Sequence, residues 1–237
     1  MKIAVCIKQV PASTRVQLDP VTKTIVRGKG EAMLNPFDAF ALEEAIRLKE
    51  RYGATLTALS MGIPAAAAIL KEAMSMGADE GLLLSDEKFA GADTLATAYT
   101  LMHGIHALGK VDLILCGKQA TDGDTAQVPP ILAYNLNFSC LTDVCEILEL
   151  SDSTVRCRRM SDEGYAIWEA KLPALLSVTK EINVPRLPSL QGLRYSHSQA
   201  VRVLTASDFN GLDESKIGLS GSPTQVKETF VPERTVE

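Results

Sequence analysis

The sequence predicts an α/β fold built on a doubly wound, mostly parallel sheet, and three observations predict it. From residue 1 to 117, near-continuous apolar runs alternate with longer segments of helical period. The apolar runs lack a polar alternation, as strands do when helices cover both faces of a parallel sheet. The helical segments are punctuated by a capping residue, a proline or a glycine at their ends. A β-α-β-α series of this kind closes into an open sheet with right-handed crossovers, and ligands then sit outside the carboxyl ends of its strands.

Taken in order, "KIAVCIKQV" (2–10) is the first strand. Two β-rich runs around Asp19-Pro20 in "RVQLDPVTKTIVRG" (15–28) predict a hairpin insertion. "NPFDAFALEEAIRLKERYG" (35–53) places Phe40, Ala41, Ala45, Leu48 and Tyr52 along one flank with charges opposite, and stops at Gly53. "ATLTALSMG" (54–62) is the second core strand. "PAAAAILKEAMSMG" (64–77) is a helix with proline in its first turn and glycine at its end. "EGLLLSD" (80–86) and "VDLILCG" (111–117) are further strands, joined by "DTLATAYTLMHGIHALG" (93–109), whose Asp93 is a cap. Beyond residue 140 the runs "DVCEILEL", "STVRCRRM", "EGYAIWEAK" and "PALLSVT", separated by polar turns, predict an antiparallel meander. One α/β domain is therefore expected over 1–182. Residues 183–237, with scattered prolines and glycines and isolated anchors such as Leu187, Leu190, Leu193, Tyr195 and Phe230, are expected to form an extended C-terminal interaction arm, too sparse for a core of their own.

Composition narrows the function classes. With 237 residues and 46% hydrophobic content the chain is long enough for one sizeable core. A net charge of −5 and the lack of any basic block argue against nucleic acid as a partner. No run approaches the ~18 apolar residues of a membrane span, and "MKIAVCIKQV" is interrupted too early for a signal peptide, so a soluble, cytoplasmic protein is expected. Cys6, Cys116, Cys140, Cys145 and Cys157 form no C-x-x-C pair and read as free thiols rather than metal ligands. His103 and His106, three apart on a helix, are expected to face solvent. No nucleophile–base constellation or metal cluster is present in the sequence, so any redox chemistry must come from a bound cofactor.

Four loops lie where the sheet would place a ligand. "GKQATDGDTAQVPP" (117–130) leads from a strand into a helix start. Gly117 and Gly123 allow a positive φ or a close approach, and Thr125, Ala126 and Gln127 offer N–H groups to an anion. Asp122 and Asp124 oppose that reading, since a carboxylate satisfies the same N–H groups and repels a phosphate. Neither GxxxxGK[ST] nor GxGxxG is present. Asn35 is an N-cap or an amide for an adenine or ribose. Ser60, Met61 and Gly62 follow the second core strand, and Gly91, Asp93, Thr94 and Thr97 sit at another helix start. Each loop alone reads as structural; together, at one sheet edge, they indicate a nucleotide site.

At these residues the sequence resembles the beta subunit of electron transfer flavoproteins, over nearly the whole chain. The matching pieces are "CIKQVP", "NPFDAFALEEAIRLKE", "ALSMG", "AMSMGADEGLLLSD", "VDLILCGKQATDGDTAQ" and "LPALLSVTKEINVPRLPSL". In the C-terminal signature, "RRMSDEGYAIWEAKLPALLSV", Ala166 stands where the family usually has an acidic residue. The resemblance implies a Rossmann-like, adenine-nucleotide-binding fold and a larger alpha subunit carrying FAD. The beta subunit would hold AMP or a second FAD. The short loop in "DEKFAGADTLATAYTL" together with "DGDTAQV" resembles the electron-bifurcating subfamily, whose beta-subunit FAD takes a hydride from NADH. Electrons then pass to ferredoxin or flavodoxin and, through the alpha-subunit FAD, to a dehydrogenase of acyl-CoA or related type. Those relatives usually have Val-Gly-Pro where this chain has Val128-Pro129-Pro130.

Carried over by position, Asn35, Met61, Gly62, Cys116, Gly117, Gln119, Asp122, Gly123, Thr125, Ala126, Gln127 and Val128 would line the adenosine and diphosphate. Cys6 and Lys8 would lie beside them, and Asp124 would cap the helix start. Asp93, Thr94 and Thr97 would lie nearer the isoalloxazine. The resemblance also implies that Leu187 and Leu190 touch a partner dehydrogenase. Two alternatives remain: a non-bifurcating subunit with structural AMP, and a stand-alone nucleotide-binding α/β module, of which the ATP pyrophosphatase type lacks its Ser-Gly-Gly loop in "KQVPAST".

Overall fold

The computed structural model describes residues 1–12, 32–224 and 227. Its centre is a nine-stranded sheet in the order β11 (Arg202–Leu204), β5 (Glu80–Leu84), β4 (Thr55–Met61), β1 (Lys2–Cys6), β6 (Leu113–Gly117), β10 (Ala174–Val178), β7 (Ser139–Leu150), β8 (Thr154–Ser161), β9 (Gly164–Lys171). Strands β1 (Lys2–Cys6), β4 (Thr55–Met61), β5 (Glu80–Leu84) and β6 (Leu113–Gly117) form the parallel centre. Their residues are almost all buried, as the apolar runs require. Helices α1 (Pro36–Tyr52) and α2 (Ala67–Met76) pack on one face and α3 (Thr94–Ala107) and α4 (Val128–Leu136) on the other, so the buried residues divide into two clusters, one per face. The chain winds outward from β1 through β4 to β5, then returns through α3 to place β6 on the other side of β1. The strand order therefore reverses between β1 and β6, which opens a crevice beyond their carboxyl ends.

Several expectations need correction. The run 2–10 divides: β1 ends at Cys6, and β2 (Gln9–Pro11) pairs antiparallel with β3 (Ala32–Leu34) in a separate two-stranded sheet. The hairpin expected at 15–28 lies outside the described residues. The meander has three strands, β7 (Ser139–Leu150), β8 (Thr154–Ser161) and β9 (Gly164–Lys171). The fourth, β10 (Ala174–Val178), inserts between β6 and β7 and runs parallel to both. The charges of α1 are not all opposite its apolar flank. Glu43 is buried and held by Arg47 and Arg186, and Glu44 is buried against Asn183.

Residues beyond 183 do more than extend from the domain. Helix α5 (Leu190–Ser198) packs on α2, and β11 (Arg202–Leu204) pairs with β5 to complete the sheet edge. Ala206 and Ile217 are buried in the core cluster on the α3 side. Leu187 and Leu190 remain 87% and 83% exposed, on a segment that Arg186 fastens to Glu43 and Glu50 of α1. Phe230 lies outside the described residues. Among the described residues no helix is long and apolar enough to cross a membrane.

Candidate functional site

The crevice between β1 and β6 is a cavity of about 350 Å³, within the range of small-molecule sites. Cys6, Ile7 and Lys8 at the end of β1 and Cys116 and Gly117 at the end of β6 form its floor, with Met61 after β4 beside them. Gln119, Gly123, Thr125, Ala126, Gln127 and Val128 form one wall, and Asp93, Thr94 and Thr97 at the start of α3 form the other. Fourteen of the eighteen residues singled out from the sequence thus line one cavity.

The other four are not among its lining residues. Gly62 is occupied in a backbone bond to the Leu84 carbonyl. Asn35 is fully buried and makes no side-chain cap. Its Nδ2 donates to the Gln119 carbonyl at 2.9 Å and its Oδ1 accepts from the Thr121 N–H at 3.2 Å, so it pins the wall from behind. Asp122 pairs with Lys8 Nζ at 2.6 Å, and Asp124 accepts from Gln119 Nε2 at 2.8 Å. The Asp122 charge is thus paired, whereas Asp124 accepts from a neutral amide and keeps its charge, so the objection to an anion is met at Asp122 alone.

The wall departs from expectation in its backbone. Gly123 does not adopt a positive φ, and a Cβ built on it meets nothing within 4 Å. The left-handed positions are Asp124 (φ 47°) and Ala126 (φ 54°). Gln127 follows Ala126 in the right-handed region (φ −94°, ψ −29°). Successive residues of opposite hand turn their N–H groups to one side, a backbone nest that suits an anion. Among the described residues the N–H groups of Thr125, Ala126, Gln127 and Val128 make no hydrogen bond. The nest thus meets the start of α4, where the helix dipole adds to the attraction. Among the described residues Lys8 is the one basic residue lining the cavity.

The floor holds a group that the sequence did not mark. Asp38, in the first turn of α1, is buried and accepts from the Lys8 N–H at 2.7 Å. Burial pushes its carboxyl up from 3.8 to about 7, against the opposing hydrogen bonds from Asn35, Lys8 and Gly117 and the charge of Lys8. Gly117 makes this approach possible, because a Cβ there would stand 2.4 Å from Asp38 Oδ1 and 2.6 Å from the Phe37 carbonyl carbon. Its glycine serves close packing of strand on helix. Cys6 and Cys116 are neighbours across the β1/β6 pair; the Cys116 thiol is held up by its hydrogen bond with Cys6 and by burial, which keeps it neutral. No disulfide joins the five cysteines, and four of them are buried.

On the α3 side, Asp93 caps the helix, its Oδ1 accepting from the N–H groups of Leu95 and Ala96. Thr94 Oγ1 donates to Gln127 Oε1 at 2.9 Å and bridges the two walls. His106 is exposed as expected, but His103 is half-buried, edge-on to Tyr99 and 5.5 Å from the Phe209 ring. Among the described residues no group of three or more His, Cys, Asp or Glu could hold a metal ion. Besides Asp38, the cavity residues missed in the sequence are Ile7, Ala92, Leu101, Ala120 and Pro129, whose small or apolar side chains carry no local signal.

The chain is similar to known proteins over most of its length. Residues 22–209 match the electron transfer flavoprotein domain. The electron transfer flavoprotein subunit beta of Clostridium acetobutylicum is 45% identical over 233 residues, spanning 98% of this chain and 89% of the relative. The caffeyl-CoA reductase-Etf complex subunit CarD of Acetobacterium woodii is 43% identical, covering 98% of this chain and 88% of its own. Protein FixA of Azotobacter vinelandii is 41% identical, covering 98% and 84%.

Proposed function

The chain belongs to the electron transfer flavoprotein family as a beta subunit, and from that premise we propose that its cavity binds a FAD in a heterodimer with a FAD-containing alpha subunit. The observation that carries the proposal is the cavity itself, which runs from the nest at Ala126 and Gln127 to the start of α3 at Asp93. A diphosphate fits the nest, where the dipole of α4 adds to the attraction; Lys8, paired with Asp122, would have to turn from that carboxylate to add its charge. Met61, Thr94, Thr97 and Leu101 then offer a mixed apolar and hydroxyl surface for a flavin ring. A FAD held by the nest and the α3 wall would supply the chemistry of accepting a hydride from NADH and passing electrons to ferredoxin or flavodoxin and to the alpha-subunit FAD. That division rests on the resemblance of the 86–101 and 122–128 segments to the bifurcating subfamily. An acyl-CoA or related dehydrogenase is the proposed recipient, in keeping with the name of the Acetobacterium woodii relative. Residues 183–237 are proposed as the partner-recognition arm, with the exposed Leu187 and Leu190 as contacts. The protein is expected to act in the cytoplasm.

A second reading, AMP as the occupant, is favoured by one observation. The Thr94–Gln127 bond joins the two walls, so an occupant that passes between them must replace it, and a smaller mononucleotide need not. Co-expression with the alpha subunit, followed by nucleotide extraction and flavin counting, separates the readings. Two flavins per heterodimer, with NADH-dependent reduction of a low-potential acceptor, support the FAD reading. One flavin and one AMP overturn it in favour of the second.

A further inference from the structure

The turn formed by residues 217–224 reaches back to the cofactor cavity. Ser222 is buried, and its Oγ accepts from the Asp93 N–H at 2.8 Å. The same hydroxyl donates to the Gly218 carbonyl at 2.7 Å, with the Gly91 carbonyl at 3.3 Å. The Thr224 N–H donates to Asp93 Oδ2 at 3.0 Å, on the carboxylate whose other oxygen caps α3. The approach is backbone to backbone: Gly218 has a φ of 52°, and a Cβ there would stand 2.1 Å from the Lys88 carbonyl oxygen. Further bonds run alongside, with Lys88 paired to Glu214 and the Asp213 N–H donating to the Tyr99 hydroxyl at 3.1 Å.

We infer that this turn is a latch on the cofactor site, with Ser222 and Thr224 acting as positioning residues for the α3 wall through Asp93. The inference rests on the nucleotide reading of the cavity. Asp93 has both carboxylate oxygens engaged by backbone N–H groups, so it holds the wall in place and is not free to meet a ligand. The residue after it, Thr94, carries the bond to Gln127, and Gln127 is half of the nest. A continuous path of hydrogen bonds and one peptide unit thus joins the C-terminal segment to the phosphate cradle. Loosening the latch leaves the first turn of α3 less ordered, and a nucleotide must restore that order when it binds. By linkage, a bound nucleotide tightens the latch by the same factor, and anything that engages the chain just beyond Thr224 feels whether the cavity is filled.

The test uses the full chain and two probes, AMP and FAD, titrated separately. Ser222→Ala removes the acceptor for the Asp93 N–H, and Thr224→Pro, at an exposed position, removes only the donor to Asp93 Oδ2. Each is expected to weaken whichever nucleotide the unaltered chain binds by about two- to tenfold, the worth of one hydrogen bond. Thr205→Ala, in the same C-terminal segment but remote from Asp93, is the control and should lower the unfolding temperature without changing affinity. Unaltered affinity in Thr224→Pro, or an equal loss in Thr205→Ala, overturns the latch while the nucleotide reading stands. Failure of the unaltered chain to bind either nucleotide overturns both.

Discussion

Asp38→Asn is the perturbation whose size follows most directly from the structure. The buried carboxyl titrates at about 7 instead of 3.8 because burial penalises its charged form. Below pH ~4 both folded and unfolded chains hold the proton. Between there and pH 7 the folded chain keeps it while the unfolded chain has lost it, so stability falls as pH rises through this window and then levels off. At about 1.36 kcal/mol per unit the whole rise is worth roughly 4 kcal/mol, of which about 2.7 kcal/mol falls between pH 5 and pH 8. An amide carries no charge and removes the penalty, though it places an N–H against one of the donors the carboxylate now accepts. The readout is therefore the gap in unfolding free energy between variant and wild type, measured in urea at pH 5 and pH 8, where all other titrating groups cancel. The gap should shift in favour of the variant by about 1.5 to 2.7 kcal/mol between the two pH values, since water admitted from the cavity lowers the ceiling. A gap equal at both would mean that Asp38 is ionised at pH 5 and that the account of the cavity floor is wrong.

Gly117→Ala drives a Cβ to 2.4 Å from Asp38 Oδ1 and 2.6 Å from the Phe37 carbonyl carbon, and should cost roughly 1–3 kcal/mol in thermal unfolding; an unchanged melt would show that α1 recedes freely. Asn35→Ala strips the partners of the Gln119 carbonyl and the Thr121 N–H, with a cost of about 1–3 kcal/mol. Hydrogen exchange at the Thr121 amide should quicken, and exchange at the wild-type rate would remove Asn35 from the loop's support. Gly123→Val should stay within ~0.5 kcal/mol of wild type, because its φ is ordinary and its surroundings open. Ala126→Gly should stabilise the free chain by about 1 kcal/mol through relief of left-handed strain, and the reverse ranking of these two in calorimetry would refute the placement of the nest.

The α/β series was legible because each element carries its own punctuation. Gly53, Gly77 and Gly109 end their helices at positive φ, and Asp93 caps the helix that follows it. The place of β10 was legible in part. "ALLSV" is buried at every position, the same signature that marked the central strands, whereas β8 and β9 expose residues on both sides of the ladder. The polar turns around it point to a fourth antiparallel strand, but its near-continuous apolar run belongs to the sheet centre, and the run prevails. The return of the C-terminal segment to the sheet was not legible: β11 has three residues and a single buried side chain, and it is a strand only because β5 offers it an open edge. Glu43 and Glu44 looked like a solvated face because their partners, Arg186 and Asn183, lie far along the chain.

At the site, residue types were legible and backbone hand was not. Glycine marks the places where a left-handed residue is cheap, so Gly123 was the natural choice in "TDGDTAQ", yet the chain places that conformation on Asp124 and Ala126. Aspartate tolerates it, since its short side chain bonds locally, here to Gln119. Alanine has no such compensation, and holding it left-handed costs roughly 1–2 kcal/mol that the fold must supply from elsewhere. The supports are visible: Asn35 fastens the loop from behind, Lys8 ties it through Asp122, and Thr94 holds Gln127 from across the cavity. A strained residue followed by N–H groups that make no hydrogen bond among the described residues gains nothing for the chain alone. An anion that binds those N–H groups recovers the cost, so the strain at Ala126 argues for a phosphate in this cavity more strongly than any single side chain that lines it.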